Sequence, residues 1–211
     1  MAGGSATAYT APVSPVTHLL TSWLVAAHGT DNPRDCRWVA LAGLAPDADG
    51  LGLVWDIASG ALAAGEAPLY QKYHHHLLHG LAGGMLLALL AAAVSRRKGR
   101  VVLLTLAVFH LHLLCDLLGS RGPDPGDLWP IYYLAPLSNQ WLWVWHGQWC
   151  LDGWQNKCIT VALTLWCLWL PLRLGHSVVG VFNRRADAVF VQVLQGWRTR
   201  WLAWRESKGH L

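Results

Sequence analysis

The sequence predicts an all-α, polytopic membrane protein, and three observations carry that expectation. Hydrophobic residues make up 54% of the 211 and charged residues only 13%, with a mean hydropathy of +0.29, a balance that suits lipid better than a soluble globule. Trp occurs 14 times, far more than packing requires, and Trp favours the membrane interface, where an apolar ring and a polar N–H are both satisfied. The basic residues cluster beside apolar segments, which suits anionic headgroups; no basic stripe with stacking aromatics points to nucleic acid. The length is that of one domain spanning 1–211.

Met1 to Ser14 is small, polar and Pro-punctuated, a flexible lead with neither the basic region nor the apolar run of a signal peptide. Pro15 to Ala27 reads as a short helix, His28 to Arg37 as a polar turn, and Trp38 to Ala45 as an apolar return that breaks at Pro46-Asp47-Ala48-Asp49-Gly50. Each arm has about a dozen residues, too few at roughly 1.5 Å apiece to cross a core of roughly 30 Å, so a re-entrant or half-membrane N-terminal hairpin is expected. Leu51 to Tyr73 reads as a Gly- and Ala-rich amphipathic lead into a histidine cluster. Gly80 to Val94 and Val101 to Leu118 are the clearest membrane helices, and Cys158 to Leu174 is a third. The basic turn Arg96 to Arg100 is cytoplasmic by the positive-inside rule, which puts the histidine end on the other side. Gly119 to Lys157, rich in Gly, Pro, Asp and Trp, is too long for a connector and is expected to cover the site. Ser177 to Trp204, with Arg184, Arg185, Arg198 and Arg200, and Arg205 just after it, among Trp197, Trp201 and Trp204, reads as an amphipathic helix on the cytoplasmic leaflet within a tail of residues 177–211. Cys150 and Cys158 flank a polar loop; they either pair, if that loop faces an oxidising compartment, or stay thiols.

The candidate chemistry lies at one end of these hairpins. His79 and Asp116 are almost equally far from Lys98, and His18 and Asp47 from Asn32-Pro33, so antiparallel packing brings each pair to one level. His112 and Asp116, four apart, share a helix face. With Asp49 and His74 the set gathers imidazoles and carboxylates where lipid would otherwise forbid charge, as a hard-to-borderline divalent ion requires. One to three such ions would acidify a bound water and hold a phosphoryl oxygen, and a carboxylate left over, Asp49, would take the proton. The bland readings stand beside this one. His112 and Asp116 alone make a histidine–carboxylate hydrogen bond, His75 and His76 suit a solvated interface, His110 suits core packing, and Asp49 suits a helix cap.

Thr17-His18-Leu19, Pro46-Asp47-Ala48-Asp49, the His74 to His79 spacing, His112-Leu-Leu-Cys-Asp116 followed by Leu-Leu-Gly-Ser-Arg-Gly, and Leu128-Trp129-Pro130 resemble the YdjM-like family. Its members are described as inner-membrane-associated, LexA-binding, metal-dependent hydrolase-like proteins, and the resemblance covers roughly Val16 to Pro130. It implies that His18, Asp47, His74, His79, His112 and Asp116 are metal ligands. A more distant similarity to all-helical zinc-dependent phospholipase C implies phosphoester chemistry at a multinuclear zinc site, for which manganese is the alternative. Where the family reads His-Arg-Gly-x-Thr-His-Ser, this chain has His74-His75-His76-Leu77-Leu78-His79-Gly80. Both ligands are kept and the Arg, Thr and Ser are lost, with His75 as the replacement cationic contact. The expectation is thus a hydrolase of the inner membrane acting on a lipid or lipid-linked phosphoester. Its competitors are a membrane regulator with a structural metal, which binds a partner through the C-terminal helix, and a bis-histidine haem protein.

Overall fold

The computed structural model describes residues 15–61, 63, 68–74 and 76–208. The chain is mostly helical and divides into two compact units, Met1–Ile159 and Thr160–Leu211. The expected lead at 1–14, along with His75 and Glu66, falls outside the described residues.

The first unit opens with α1 (Pro15–Gly29) and α2 (Pro33–Ala42). The turn between them is shorter than the polar stretch His28 to Arg37 suggested. Asn32 caps α2, its side chain accepting from the amides of Arg34 and Asp35, and Pro33 supplies a first residue preset for a helix. A 3₁₀ turn, Ala45–Leu51, follows and carries both Asp47 and Asp49. Leu51 to Tyr73 is not one amphipathic helix: it holds α3 (Gly52–Ala58) and α4 (Pro68–Tyr73). The buried Asp56 of α3 accepts from the backbone of α4 at Leu69 and Tyr70, at 3.1 and 2.9 Å, which fastens the two helices end to end.

Then come α5 (Leu81–Val94) and α6 (Lys98–Gly119), packed against each other, with α6 also against α1 and α2. The buried residues of α6 are Val101, Thr105, Val108, Phe109, His112, Leu113, Asp116 and Gly119, one stripe at helical spacing. The same face that packs the core therefore delivers His112 and Asp116. Two glycines permit the close approach: a Cβ at Gly43 would overlap Ser22 of α1, and one at Gly84 would lie 2.8 Å from the Phe109 ring. Away from the stripe the helices stay apolar, with Met85, Leu86 and Leu89 of α5 and Leu103 of α6 exposed, as lipid-facing surface is.

Among the described residues, two helical stretches, Lys98–Gly119 and Trp154–Leu174, are long and apolar enough to cross a membrane. The expected span Gly80 to Val94 is corrected: α5 has 14 residues, about 21 Å, and falls short of a roughly 30 Å core.

The segment after α6 is a loop with a small ladder, β1 (Ile131–Tyr132) antiparallel to β2 (Leu142–Trp143), and a lone β-bridge between Arg121 and Cys150, departures from the all-helical chain that was expected. It is fastened to the helices. Ile131 joins the buried cluster of Phe109 and Leu113, and the carbonyl of Tyr133 accepts from the amide of Leu81 at 2.7 Å. The next helix, α7 (Trp154–Trp169), starts earlier than Cys158 because Asn156 reaches back to the carbonyls of Gly119 and Leu151 at 2.9 and 2.8 Å. Cys150 and Cys158 are not joined; the Cys150 thiol lies 2.7 Å from Nη2 of Arg121 instead.

In the second unit, α8 (Pro171–Leu174) and a 3₁₀ turn at Val178–Val181 precede α9 (Arg184–Lys208). The buried Asp187 of α9 accepts from the Ser177 hydroxyl and amide at 2.6 and 2.8 Å, which ties that turn to the helix. The amphipathic stretch is thus a turn followed by a helix that Asn183 caps, not a continuous helix from Ser177.

Candidate metal centre

The short 3₁₀ turn, the residues around His79 and the last turns of α6 converge on a single buried cluster. Nε2 of His18, His79 and His112 lies 3.2, 3.3 and 3.1 Å from the carboxylate of Asp116, and all four side chains are essentially sealed from solvent. Asp47 stands at the edge: its Oδ1 is 3.6 Å from His112 Nε2, and its side chain keeps 12% of its exposure.

The second nitrogen of each ring fixes what the first can do. Nδ1 of His112 lies 2.8 Å from the carbonyl of Gly43, an acceptor only, so it carries the proton and Nε2 presents a lone pair. Nδ1 of His79 lies 2.9 Å from Oδ2 of Asp49, which holds that ring in the same sense. Yet His79 Nε2 and His112 Nε2 are 3.1 Å apart. Two nitrogen lone pairs and a carboxylate at this distance repel one another unless a proton or a cation lies among them. The separation is close to the ~3.3 Å between ligands around a tetrahedral ion bound at about 2.0 Å. Oδ2 of Asp47 is buried and meets no hydrogen-bond partner, a second sign of an acceptor-rich pocket suited to a positive ion. Within this region His18-Asp47-His112, His79-His112-Asp116 and Asp49-His74-His79 each form a group that could hold a metal ion.

Asp49 has a different environment from the one expected of a spare base. Its Oδ1 accepts from His74 Nδ1 at 2.8 Å, and its Oδ2 accepts from His79 Nδ1 and from the amide of Leu78 at 3.2 Å. Burial alone would push this carboxyl up, but the hydrogen bonds and charge of the two histidines outweigh it and hold it below the usual carboxylate range. Burial likewise disfavours a charged His79, and the flanking carboxylates Asp116 and Asp49 overcome it, raising the group to about 9.

The structure therefore brings together all of His18, Asp47, Asp49, His74, His79, His112 and Asp116. His76 stays at the rim, stacked on Tyr132 at 3.8 Å. His110 is exposed, not in the core: Nδ1 faces the Leu106 carbonyl, and Nε2 accepts from the Tyr133 hydroxyl at 3.0 Å. The haem alternative does not fit, because nitrogens 3.1 Å apart leave no room for a porphyrin between them.

Sequence reasoning missed the supports. The Ser120 hydroxyl donates to Asp116 Oδ1 at 3.3 Å, one turn further along α6, and its i+4 spacing was the available signal. Tyr70 stacks on His74 at 4.5 Å and Trp129 approaches the same ring edge-on at 5.8 Å, so the long loop does cover this side of the site. Gln148 holds Trp129 by accepting from its amide and donating to its carbonyl, at 3.0 and 2.9 Å. The Gly43 carbonyl and the role of Asp56 had no local signature, since backbone acceptors and a cap thirteen residues away are invisible in sequence.

Fold and site together define a mostly helical protein with two helical stretches long and apolar enough to cross a membrane and a buried histidine–carboxylate cluster near the end of α6. The chain belongs to the family described as YdjM inner membrane protein, whose profile matches residues 13–190. No curated protein and no solved structure matches it.

Proposed function

We propose that this protein is a metal-dependent phosphoesterase of the inner membrane, with His18, Asp47, His74, His79, His112 and Asp116 holding one to three divalent ions, zinc before manganese. The observation that supports this most is the meeting of three Nε2 atoms within 3.3 Å of one carboxylate, with two of the rings locked from behind by Asp49 and the Gly43 carbonyl. Nitrogen-rich donors with buried carboxylates suit zinc, and outer hydrogen bonds that fix the imidazoles are the usual companion of such ligands. A divalent ion held there supplies Lewis acidity, acidifying water and polarising a phosphoryl oxygen.

The chain's own residues divide the remaining work. Asp49 is a positioning residue, since both its oxygens are taken by His74, His79 and Leu78. Asp47, at the open edge with one oxygen unbonded, is the carboxylate placed to accept a proton from water. His18, His79 and His112 are the nitrogen donors, and Tyr70 and Trp129 close the wall beside His74. By the positive-inside rule the basic turn before α6 favours the cytoplasmic side, which supports a cluster, at the far end of α6, that faces the other side.

Metal analysis of the purified protein tests the reading, together with hydrolysis of a chromogenic phosphoester. The expected result is stoichiometric zinc or manganese, lost together with hydrolysis in His112→Ala and Asp47→Asn. Metal-free protein that is unaffected by His112→Ala overturns it.

A further inference from the structure

Two exposed apolar surfaces flank the cluster, and the reading above uses neither. The first is the outer face of α3, which directly follows the turn bearing Asp47 and Asp49. Val54, Trp55 and Ile57 point outward, Trp55 retaining 66% of its exposure, while the one charged residue of the helix, Asp56, is turned fully inward onto α4. The second is the β1–β2 hairpin, whose Trp141, Trp143 and Trp145 are exposed, Trp141 by 65%. The hairpin is anchored beside His79 through the Tyr133 carbonyl on the Leu81 amide. From Leu128 to Leu151 the sequence contains no Asp, Glu, Lys or Arg. Aromatic and aliphatic surface without charge is what a soluble face avoids and an interfacial one uses.

The depth agrees. The 22 residues of α6 span about 33 Å, enough for the hydrocarbon core of roughly 30 Å. The exposed Arg96, Arg97, Lys98 and Arg100 fix its start at one headgroup layer. Asp116 lies three residues before its end, about 4.5 Å along the axis, which puts the cluster at the boundary between acyl chains and headgroups on the opposite side.

We propose that the α3 face and the hairpin are wedges that enter this headgroup layer and hold the His/Asp pocket at that depth, so that the phosphoester it takes is the headgroup linkage of a bilayer lipid. The occupant of both surfaces is the bilayer itself. The substrate class rests on the phosphoesterase reading; the wedge does not.

The test uses the full chain in mixed phosphatidylcholine and phosphatidylglycerol vesicles. Subtracting the fluorescence of the triple variant Trp141→Phe, Trp143→Phe, Trp145→Phe isolates the hairpin signal. That signal is expected to be quenched by lipids brominated near the carbonyl end of the acyl chain and to resist aqueous acrylamide. Quenching by acrylamide alone overturns the wedge, and protection from both quenchers overturns it in favour of a second protein copy. In the activity arm, Trp141→Ser, Trp143→Ser, Trp145→Ser should lower turnover of vesicle-embedded phospholipid roughly tenfold. Turnover of soluble p-nitrophenyl phosphoester and metal content should stay as in wild type. Equal loss on both substrates overturns the lipid assignment. Wild-type protein inert on both removes the hydrolase reading, while the bromolipid result still decides the wedge.

Discussion

The two ends of α6 handle charge in opposite ways. At its start, Arg96, Arg97, Lys98 and Arg100 are all exposed. At its finish, His112 and Asp116 are buried, and each stands within 3.3 Å of a group that carries or binds charge of its own. Water makes the first set individually replaceable. In the second, no group is tolerable without its neighbours, because an unpaired charge in a low-dielectric interior costs several kcal/mol.

That contrast can be broken or sharpened by substitution. Asp116→Ala should have the largest effect, since it leaves three facing imidazoles without their carboxylate: a loss of about 3–5 kcal/mol by thermal unfolding of the metal-free protein. The same variant should lose its bound metal, read by elemental analysis. Asp49→Asn keeps the shape but weakens the grip on His74 and His79, so metal affinity should fall about 10–100-fold in a competition titration while saturation is still reached. Gly43→Ala forces a methyl against Ser22 and shifts the carbonyl that orients His112, which should lower stability by about 1–3 kcal/mol and metal affinity with it. Asp56→Ala removes the cap on α4, a loss of about 1 kcal/mol in a denaturation midpoint. At the other end Arg97→Gln should change stability by no more than about 0.5 kcal/mol. Should Arg97→Gln match Asp116→Ala, the distinction between the two ends fails.

Much of this was legible beforehand, for identifiable reasons. The distances of His79 and Asp116 from the α5–α6 turn, and of His18 and Asp47 from the α1–α2 turn, put them at one level because antiparallel helices rise equally per residue. The i, i+4 spacing of His112 and Asp116 gave a shared face. What misled was local. A polar stretch from His28 to Arg37 reads as a turn, although Asn32-Pro33 already starts a helix there. His110 sits in an apolar run and looks like core, but two residues from His112 it faces outward, where Tyr133 meets it. Asp49 looked like a spare base because sequence shows that a carboxylate is present and not which imidazoles will engage it.

By itself the sequence determined the helical, lipid-compatible composition, the hairpins and the end at which the imidazoles and carboxylates collect. All of these follow from periodicity and chain length. Only the tertiary structure decided which nitrogen of each ring faces the cluster, that Asp49 braces His74 and His79, that Asp47 stands at the open edge, and that α5 is too short to span a membrane. Ring orientation depends on acceptors such as the Gly43 carbonyl, 69 residues away in the chain. Such partners are set by how backbones pack in space, and residue identity alone does not encode them.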